Sequence, residues 1–528
     1  WGLASRFSMA SLLCRRIAKL QIYLLNAVKA KRFNPVMVLG KSLADKPLKW
    51  RNFTALKTFG ICLLFFFFIV VVLTAFFSVP KTTFRPTFSD ANSLSPFVEA
   101  TNESHILFGI GGSAATWSNR RHYSSQWWNP NTMRGFVWLD HEPEVPLSTL
   151  PGPPCRVSSS AWTTFKTSSS GSAVRIARIL LESFNLGLPN VRWFVLGDDD
   201  TVFFVENLVS VLSRYDHNQM WYIGGNSESV EQDVIHSYSV AFGGGGYAVS
   251  YPLAKKLARI LDGCLNRYFY YYGSEERVGA CIAEIGVYLT LRRGFHQMDI
   301  RGDPYGILAA HPPEPFISLH HLDYMDSIFT NKTRVDGLST LMKSYRADPA
   351  RILQQTYCLD SRRNWSVSIS WGYTVQLYPW LVMPVDMQLP LQTFTTWGSG
   401  SNGPFTFKTR PVSPDSCRRP IVYMFTGEMQ AATNQTSIIY KNSGVLGGVD
   451  PCQNPDYVHA MLVESIVVLS EKLRKNDTWA DDQSPRRQCC DMVDDGKETN
   501  KTMRLQIRKC RVSETLAGMD AFTVDTSL

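Results

Sequence analysis

The sequence lacks the glycine-rich phosphate loops that mark the commonest nucleotide-binding proteins. Its 528 residues contain no Walker loop, and the G-x-G-x-x-G match at residues 398–403 is followed by Pro404 rather than by a helical pattern, which argues against an ATPase or NAD-type site. The spacings of its eleven cysteines do not resemble those of a zinc site. The functional residues therefore have to be sought in other patterns.

Acidic residues are nearly absent from residues 1–58, which hold twelve Lys and Arg and one acid, Asp45. This arm carries +11, whereas the whole chain carries +9, so the remainder sums to 9 − 11 = −2. The basic charge is confined to the arm, and the rest of the chain gives no support for nucleic-acid binding.

Charged residues are absent altogether from residues 59–79, FGICLLFFFFIVVVLTAFFSV. A run of about 20 apolar residues spans a bilayer, so this segment predicts a transmembrane signal-anchor helix. A cleaved signal peptide is the competing interpretation, but the run is too long, starts late and lacks a convincing cleavage site. More basic residues precede the run than follow it, which predicts a cytoplasmic arm and a lumenal or extracellular body. Residues 80–103, rich in Pro, Ser and Thr, are typical of a stem.

Cysteines and glycosylation sequons agree with this topology. Nine of the eleven cysteines follow the apolar run, where an oxidising lumen would allow disulfides and an odd count leaves at least one cysteine free or paired elsewhere. Acceptor sequons lie on the same side, at Asn102, Asn331, Asn364, Asn434, Asn476 and Asn500.

The most informative stretch is 193–203, WFVLGDDDTVF, where an apolar run ends in three carboxylates. The run predicts a buried strand, so Asp198, Asp199 and Asp200 should emerge at its C-terminal edge, where ligands bind in α/β sheets. Adjacent carboxylates repel one another unless a cation neutralises them, and Mg²⁺ or Mn²⁺ prefers such oxygen ligands and binds diphosphates. A metal-bridged nucleotide is one interpretation. The other is an acidic turn that caps the helix near Glu206.

Strands and helices alternate upstream and downstream of this stretch. Apolar strands are expected at 105–113, 136–140 and 193–197, with amphipathic helices at 172–185 and 206–215. The βαβα order predicts an α/β fold with a largely parallel sheet, whose glycine-ended and acid-ended strand tips share one edge.

Four successive glycines at 243–246 follow, in AFGGGGYAVS. Glycines are costly inside a regular strand, so they predict close approach of a ligand or of another backbone, with a flexible turn as the alternative. A single helix is expected next, from residue 253 to residue 264.

Glu275 and Glu276 begin the next predicted helix, whose apolar face continues to Ile285. The helix dipole alone explains carboxylates at this position. Held in a cleft, however, one of them could act as a general base.

His320 and His321 follow an apolar stretch in ISLHHLD, residues 317–323. Imidazole can complement carboxylates around Mn²⁺. Because neighbouring side chains in a strand point to opposite faces, at most one histidine is expected to reach a metal.

These pieces resemble the plant Fringe-related glycosyltransferase-like proteins, a branch of glycosyltransferase family 31 of the domain-of-unknown-function-604 type. The resemblance runs from about residue 100 to beyond 340 and rests on six blocks in order: HILFGIGGS, MRGFVWLD, VRWFVLGDDDTVF, AFGGGGYAVSYPLA, GSEERVGACIAEIGV and ISLHHLD. It implies a GT-A fold with a mixed, mostly parallel sheet, and single-pass type II topology in the Golgi membrane. It also implies Mn²⁺ (or Mg²⁺), a UDP-sugar donor, a glycan, glycoprotein or other secretory-pathway acceptor, and inversion with a β1,3-linked product.

The resemblance also implies roles for individual residues. Asp200 and Asp199, with His320 or His321, would hold the metal, and Glu276 or Glu275 would be the base. The residues expected to bind the nucleotide-sugar donor are Asp198, Asp140, Gly111 and Arg121. The loop expected to contact the sugar or the acceptor is formed by Gly243, Gly244, Gly245 and Gly246. Three departures follow, because the family usually has two aspartates where this chain has Glu275 and Glu276, has alanine in place of Gly245, and has a longer and more basic segment in place of residues 161–172.

The resemblance places the glycosyltransferase domain at 104–344, which leaves 345–528 as a smaller accessory region. Strand-like patterns at 366–378 and 421–425 predict that this region is β-rich, and we expect it to be disulfide-linked. The charged segment 471–501 is predicted to be a loop or partly disordered.

Two alternatives compete with the enzymatic hypothesis. A catalytically silent relative that binds glycan or nucleotide as a membrane-anchored scaffold is suggested by the two glutamates. A phosphatase of the haloacid dehalogenase type is suggested by Asp198, Asp200 and Val202, which loosely fit its nucleophile motif. The second alternative leaves the upstream strands, the glycine loop and the histidine pair unexplained.

Overall fold

The computed structural model describes residues 100–143, 151–360, 362–446, 452–473, 488–493, 501–511, 514–515 and 518–519. The predicted arm, the apolar run 59–79 and nearly all of the stem lie outside these residues. No helix within them is long and apolar enough to cross a membrane.

A seven-stranded mixed sheet forms the first half of the described chain. The strands of this half are β1 Ile106–Gly111, β2 Arg134–Leu139, β3 Cys155–Val157, β4 Trp193–Asp198, β5 Val202–Phe203, β6 Tyr222–Gly224, β7 Tyr247–Ser250 and β8 Leu289–Leu291. The sheet order is β3-β2-β1-β4-β7-β6-β8, and β5 lies outside it. All neighbours in the sheet pair in parallel except β7, which is antiparallel to both β4 and β6. The predicted mixed, mostly parallel sheet is confirmed.

Helices connect and cover these strands. Their bounds are α1 Ala114–Ser124, α2 Gly171–Asn185, α3 Val205–Leu212, α4 Val230–His236, α5 Tyr251–Leu257, α6 Leu261–Arg267, α7 Ser274–Ile285, α8 Tyr305–Ala309, α9 Arg334–Ala347, α10 Pro384–Met387 and α11 Pro455–Met461. Short 3₁₀ turns lie at Glu103–His105, Ser160–Thr164, Pro349–Arg351 and Ser416–Arg418.

The single helix expected at 253–264 is wrong, because the chain forms α5 and α6 with a break between them. Ile260 leaves the helical conformation at φ −120° and ψ −14°. The second helix can then bury Leu261 and Leu265 and bring Cys264 to its disulfide partner Cys281 in α7.

Alternating side chains of the first sheet pack into two apolar clusters, one on each face of the sheet. Ile106 and Phe108 of β1 join one core cluster, whereas Leu107 joins the other. The smaller cluster lies under α2, α5, α6 and α7. The larger one contains residues of α1 and α3 and continues into the second half of the chain, with Ile369 and Val468 among its members. The two halves are therefore packed around shared apolar residues.

The second half is built on an eight-stranded sheet. The remaining strands are β9 Ile300–Gly302, β10 Ser318–Leu319, β11 Gln355–Asp360, β12 Trp365–Ser370, β13 Thr374–Tyr378, β14 Leu391–Gln392, β15 Phe394–Thr396, β16 Arg410–Pro411, β17 Ile421–Ala431, β18 Gln435–Asn442, β19 Ser465–Glu471, β20 Cys489–Val493, β21 Thr502–Arg508, β22 Glu514–Thr515 and β23 Gly518–Met519. The order of the sheet is β11-β12-β13-β17-β18-β19-β21-β20. The segment 345–528 is β-rich as predicted, and strand β20 lies inside the segment expected to be a loop. The predicted boundary at residue 344 falls within α9 and stays a prediction.

Disulfides reinforce this half. Within the described residues, the bonds Cys358–Cys490, Cys417–Cys452 and Cys489–Cys510 lie in it, and Cys264–Cys281 joins α6 to α7. Cys155 is free, in agreement with the odd count.

Candidate metal and active site

The carboxyl ends of the parallel strands meet at one edge of the first sheet, as the sequence predicts. Gly111 at the end of β1 is the register partner of Asp198 at the end of β4. A Cβ on Gly111 would lie 3.3 Å from Asp198 Oδ1, so the two backbones bring the carboxylate close to this glycine. Asp140 follows β2 and accepts hydrogen bonds from the Ser113 hydroxyl at 3.2 Å and from the Ala114 amide at 2.8 Å. Asp140 thereby anchors the start of α1 at this edge.

Asp198, Asp200 and His320 form a group that could hold a metal ion. One ligand atom from each lies within 4.8 Å of the other two. His320 Nε2 lies 3.1 Å from Asp200 Oδ1 and 3.8 Å from Asp198 Oδ2. Asp200 Oδ1 is buried and accepts no well-aligned hydrogen bond from the described residues. A buried carboxylate oxygen in this state is expected where a cation completes its coordination.

Local backbone contacts bring these three side chains together. Thr201 links the acidic turn to the glycine loop, because its hydroxyl accepts from the Asp198 amide at 2.7 Å and donates to the Gly244 carbonyl at 2.7 Å. Strand β5 then pairs with β10, which places His320 directly after the paired residue Leu319. The acidic turn does not cap α3, because its N-cap residue Phe204 makes no side-chain cap and the Glu206 amide donates to the Tyr345 hydroxyl at 2.9 Å. The capping interpretation of the triplet is therefore wrong.

The charges of the group are strongly coupled. Burial and the neighbouring carboxylates raise the pKa of Asp198 to about 7. Burial also opposes ionisation of Asp200, but His320 and Arg120 hold its pKa below the ordinary value. Burial disfavours the imidazolium, yet Asp200 and Asp198 raise the pKa of His320 to about 9. Without a metal ion, His320 is therefore protonated at neutral pH, and its positive charge compensates the carboxylates of Asp198 and Asp200.

Asp199 points away from this group. It accepts from Arg120 Nη1 at 2.7 Å and from the Thr116 hydroxyl at 3.1 Å, both on α1. Burial raises its pKa, with Arg120 opposing the shift. The structure thus places Asp198, which the sequence assigned to the donor, in the position expected for Asp199.

Arg120 is a residue that the sequence interpretation missed in favour of Arg121. Besides Asp199, it contacts Asp200 at 3.4 Å and Asp323 at 3.2 Å. Arg121 lies instead over the ring of Trp117, with its guanidinium carbon 5.8 Å from the ring centroid. Positions three apart share a helix face, so the sequence places Arg120 on the same face of α1 as Tyr123. In the structure both side chains reach Asp323, to which Tyr123 donates at 2.5 Å.

The histidine pair does not lie in a strand, so the expectation of opposite faces is wrong. Strand β10 ends at Leu319, and His321 adopts a left-handed backbone with φ +58°. The rings of His320 and His321 therefore lie in contact on the same side, tilted by 33° with centroids 3.9 Å apart. His321 contacts Asp299 at 3.2 Å and stacks on Trp397 at 4.4 Å. His321 thus supports His320 from behind, and Trp397 carried no signal for this role in the sequence.

The glycine loop passes directly over the metal group, as the close-approach interpretation predicts. A Cβ on Gly244 would lie 2.1 Å from the His320 ring, and a Cβ on Gly245 would lie 3.1 Å from the Gln297 backbone. Gly246 has φ +82°, which favours glycine. The Gly245 amide donates to Gln297 Oε1 at 2.6 Å, so the loop is hydrogen-bonded in place. The flexible-turn alternative is not supported.

Glu275 and Glu276 open α7 as expected, but their side chains differ. Glu276 is buried and accepts from the Gly273 amide at 2.8 Å, which caps the helix. Glu275 lies between Gly273 and Gly243, since a Cβ on either glycine would contact its carboxylate. Its charge helps to raise the pKa of Asp198. Of the two side chains, Glu276 is therefore used as a helix cap, and Glu275 is not.

The donor set has a clear chemical preference. Two carboxylates and one imidazole suit a metal that accepts both oxygen and nitrogen, whereas Mg²⁺ is held through oxygens and water in near-ideal octahedral geometry. The residues present therefore fit Mn²⁺ better than Mg²⁺.

Comparisons with known proteins complete the description. Residues 232–490, just under half of the chain, match the family model described as "Protein of unknown function, DUF604". Among solved structures, the crystal structure of a glycosyltransferase involved in the glycosylation of the major capsid of PBCV-1 matches with 12% identity and a TM-score of 0.22. That match covers 44% of this chain and 98% of the other. No curated protein matches. The chain is thus similar to the DUF604 family over a region that holds the glycine loop, both glutamates and His320.

Proposed function

We propose that this protein is a Mn²⁺-dependent glycosyltransferase of the GT-A type. It takes a sugar from a UDP-sugar and transfers it with inversion, in β1,3 linkage, to a glycan or glycoprotein. The observation that carries the proposal is the group formed by Asp198, Asp200 and His320 at the C-terminal edge of the parallel strands. The DUF604 match is consistent with the proposal.

The leaving group in this reaction is a nucleoside diphosphate. A bound Mn²⁺, held by Asp198, Asp200 and His320, would supply Lewis-acid stabilisation of its charge. Arg120 holds Asp199 and lies beside Asp200, so a second positive charge is fixed next to the ligands. The donor sugar would then lie under the glycine loop.

Glu275 is the proposed general base. An inverting transfer needs one carboxylate that accepts the proton of the acceptor hydroxyl as its oxygen attacks the anomeric carbon. Glu275 lies between two glycines, where the backbone leaves room for substrate, and the Ser274 hydroxyl orients its Oε2 at 3.0 Å. Glu276 instead holds the start of α7 and lies 3.4 Å from His236.

A location in the lumen of the Golgi, with a single-pass type II anchor at 59–79, is part of the proposal. Disulfides form in oxidising compartments, and the described residues contain four of them. The sequon asparagines Asn102, Asn331, Asn364 and Asn434 are all exposed, as glycosylation requires.

The metal assignment is tested with Asp200→Asn. The variant keeps the side-chain volume and removes one ligand charge, so Mn²⁺-dependent UDP binding should fall by at least about 100-fold in calorimetry, in line with the loss expected for a ligand charge. Asp386→Asn, an exposed aspartate outside the site, is the control and should bind as the wild type does. Unchanged UDP binding in a folded Asp200→Asn protein would refute the metal assignment.

The base assignment is tested by comparing Glu275→Gln with Glu276→Gln. Glu275→Gln should leave Mn²⁺-UDP binding intact while lowering UDP-sugar hydrolysis and transfer by roughly 10²–10⁴-fold, the usual contribution of a general base. Glu276→Gln should chiefly lower thermal stability, because it weakens a helix cap. The reverse pattern would exchange the two roles. Wild-type UDP binding without turnover of any donor would favour the silent relative.

A further inference from the structure

A second cavity lies in the C-terminal half and shares no lining residue with the candidate metal site. Its volume is about 420 Å³, and its walls are formed by the end of β13, by β16 and by the turn that leads into β17. Ligand cavities in proteins usually hold about 300–1,000 Å³. The cavity is therefore large enough for one or two sugar residues.

One wall of the cavity is aromatic. Trp380 is half-buried, and its ring stands at 83° to the buried ring of Tyr378 with the centroids 5.5 Å apart. Leu391 and Val412 continue the apolar lining. A half-exposed indole beside aliphatic side chains suits a flat ligand that has an apolar face, such as a sugar ring.

The charged lining is entirely basic. Arg410, Arg418 and Arg419 line the cavity, and no described acidic residue does. Arg419 donates to the carbonyls of Ser413, Pro414 and Leu446, so it is committed to the fold. Arg418 is 81% exposed, and Asp415 lies 3.6 Å from it. Arg418 is thus the guanidinium most available to an anionic ligand.

The turn that carries these arginines is fixed in place. Cys417 forms a disulfide with Cys452, and its amide donates to Asp415 Oδ1 at 2.9 Å. Arg410 is held on the opposite side, where its Nε donates to the Leu389 carbonyl at 3.1 Å. A wall built in this way loses little conformational freedom when a ligand binds.

We infer that this cavity binds a carboxylate-bearing sugar residue, that is, a hexuronate within a glycan chain. The sugar ring would lie against Trp380, and its carboxylate would pair with Arg418, whose planar guanidinium matches a carboxylate in two hydrogen bonds. The choice of a sugar over other ring-bearing anions rests on the proposed function. The cavity then binds an acidic acceptor glycan at a second site, in addition to the proposed transfer site, and raises its effective concentration at the transfer site.

The test uses calorimetry on the full-length protein with a galacturonic acid trimer as the probe and the neutral galactose trimer as its match, without Mn²⁺ or UDP. The acidic trimer should bind and the neutral one should bind at least about tenfold more weakly. Arg418→Ala and Trp380→Ala should each weaken binding of the acidic trimer roughly tenfold. Arg259→Ala, an exposed arginine in the other half, should leave it unchanged.

Equal binding of the two trimers, no binding of either, or full retention in Arg418→Ala would overturn the inference. Stronger binding of UMP than of the acidic trimer, lost in Trp380→Ala, would overturn it in favour of a nucleotide site. Mn²⁺-dependent UDP binding, measured on the same variants, should stay at the wild-type value. A failure of the cavity proposal is therefore distinguishable from a failure of the transferase proposal.

Discussion

At the scale of residues, protons on Asp198 and His320 compensate the negative charge of the candidate metal site when no metal is bound. His320, with a pKa of about 9, is cationic at neutral pH, and Asp198, with a pKa of about 7, is only half ionised there. A metal can bind only after these protons leave. Protonation of His320 therefore competes with metal binding.

This competition predicts a pH dependence of metal binding. Below about pH 7 both groups must lose a proton, so Mn²⁺ affinity should rise by up to about 100-fold per pH unit, then about tenfold per unit until pH 9. Calorimetry in buffers of different ionisation enthalpy measures the protons released. Asp198→Asn should remove the steeper part of the dependence. A metal affinity that is constant from pH 6 to pH 9 would contradict the assignment of these ligands.

Gly244 makes a second prediction at this scale. Gly244→Ala would place a methyl group 2.1 Å from His320 Cε1, so the imidazole has to move. Mn²⁺ affinity should fall at least about tenfold, as expected for loss of a ligand. Gly263→Ala in helix α6 is the matched control, since the added methyl would meet only the flexible end of Arg267 at 3.6 Å. Wild-type affinity in Gly244→Ala would show that His320 is not a ligand.

Single residues also show where sequence reasoning stops. The strand end at Asp198 was predictable because an apolar run stops there, and the sequence also led us to expect one of the histidines near it, as His320 is. Which aspartates face the metal was not, because Asp198, Asp199 and Asp200 lie in a turn whose side-chain directions depend on Thr201 and Arg120. The same limit applies to Glu275 and Glu276, which differ only in which one caps the helix.

At the scale of elements, a segment from the second half reaches the candidate site. Strand β15 pairs with β9 and thereby delivers Trp397 to the face of His321. Glu231 fixes the following turn by accepting from the amides of Gly398 and Ser399, each at 2.8 Å. The proposed metal ligand His320 is thus supported by a stack that ends in Trp397.

This stack predicts that Trp397 is a positioning residue. Trp397→Ala should weaken Mn²⁺ binding about three- to tenfold, because His321 loses its stacking partner and His320 gains freedom. Trp397→Phe should restore most of the affinity, since an aromatic face remains. The KM for the acceptor is the second readout, and it should change less than the metal affinity. Equal metal affinity in all three proteins would contradict this role.

Elements were the most predictable level of this protein. The strands at 106–111 and 193–198 and the helix at 171–185 follow from hydrophobic periodicity, which depends only on neighbouring residues. The pairing of β15 with β9, and of β5 with β10, joins residues far apart in the chain and leaves no local pattern. The sequence therefore predicted the sheet and missed the segments that complete its site.

At the scale of the whole molecule, both sheets depend on one larger apolar cluster, and the second sheet is also closed by covalent bonds. The bond Cys358–Cys490 spans 132 residues and joins β11 to β20. In the chain-entropy description, a loop of this size is worth roughly 4–5 kcal/mol relative to the open chain.

Removal of this bond should therefore lower stability. The double substitution Cys358→Ala, Cys490→Ala should reduce the free energy of unfolding in guanidinium by about 3–5 kcal/mol, with a matching loss of Tm. Cys155→Ala is the control, because Cys155 forms no disulfide. Equal losses in the two proteins would mean that the bond contributes nothing beyond the packing of its side chains.

The match to the DUF604 family starts at residue 232, between the two parts of the metal group. A protein can therefore match over this region, with the imidazole and the acid on α7, and still lack Asp198 at the end of β4 and Asp200 in the turn that follows it. Relatives identified by this region alone need the segment that precedes it inspected, at the counterparts of Asp198 and Asp200, before any catalytic competence is credited to them.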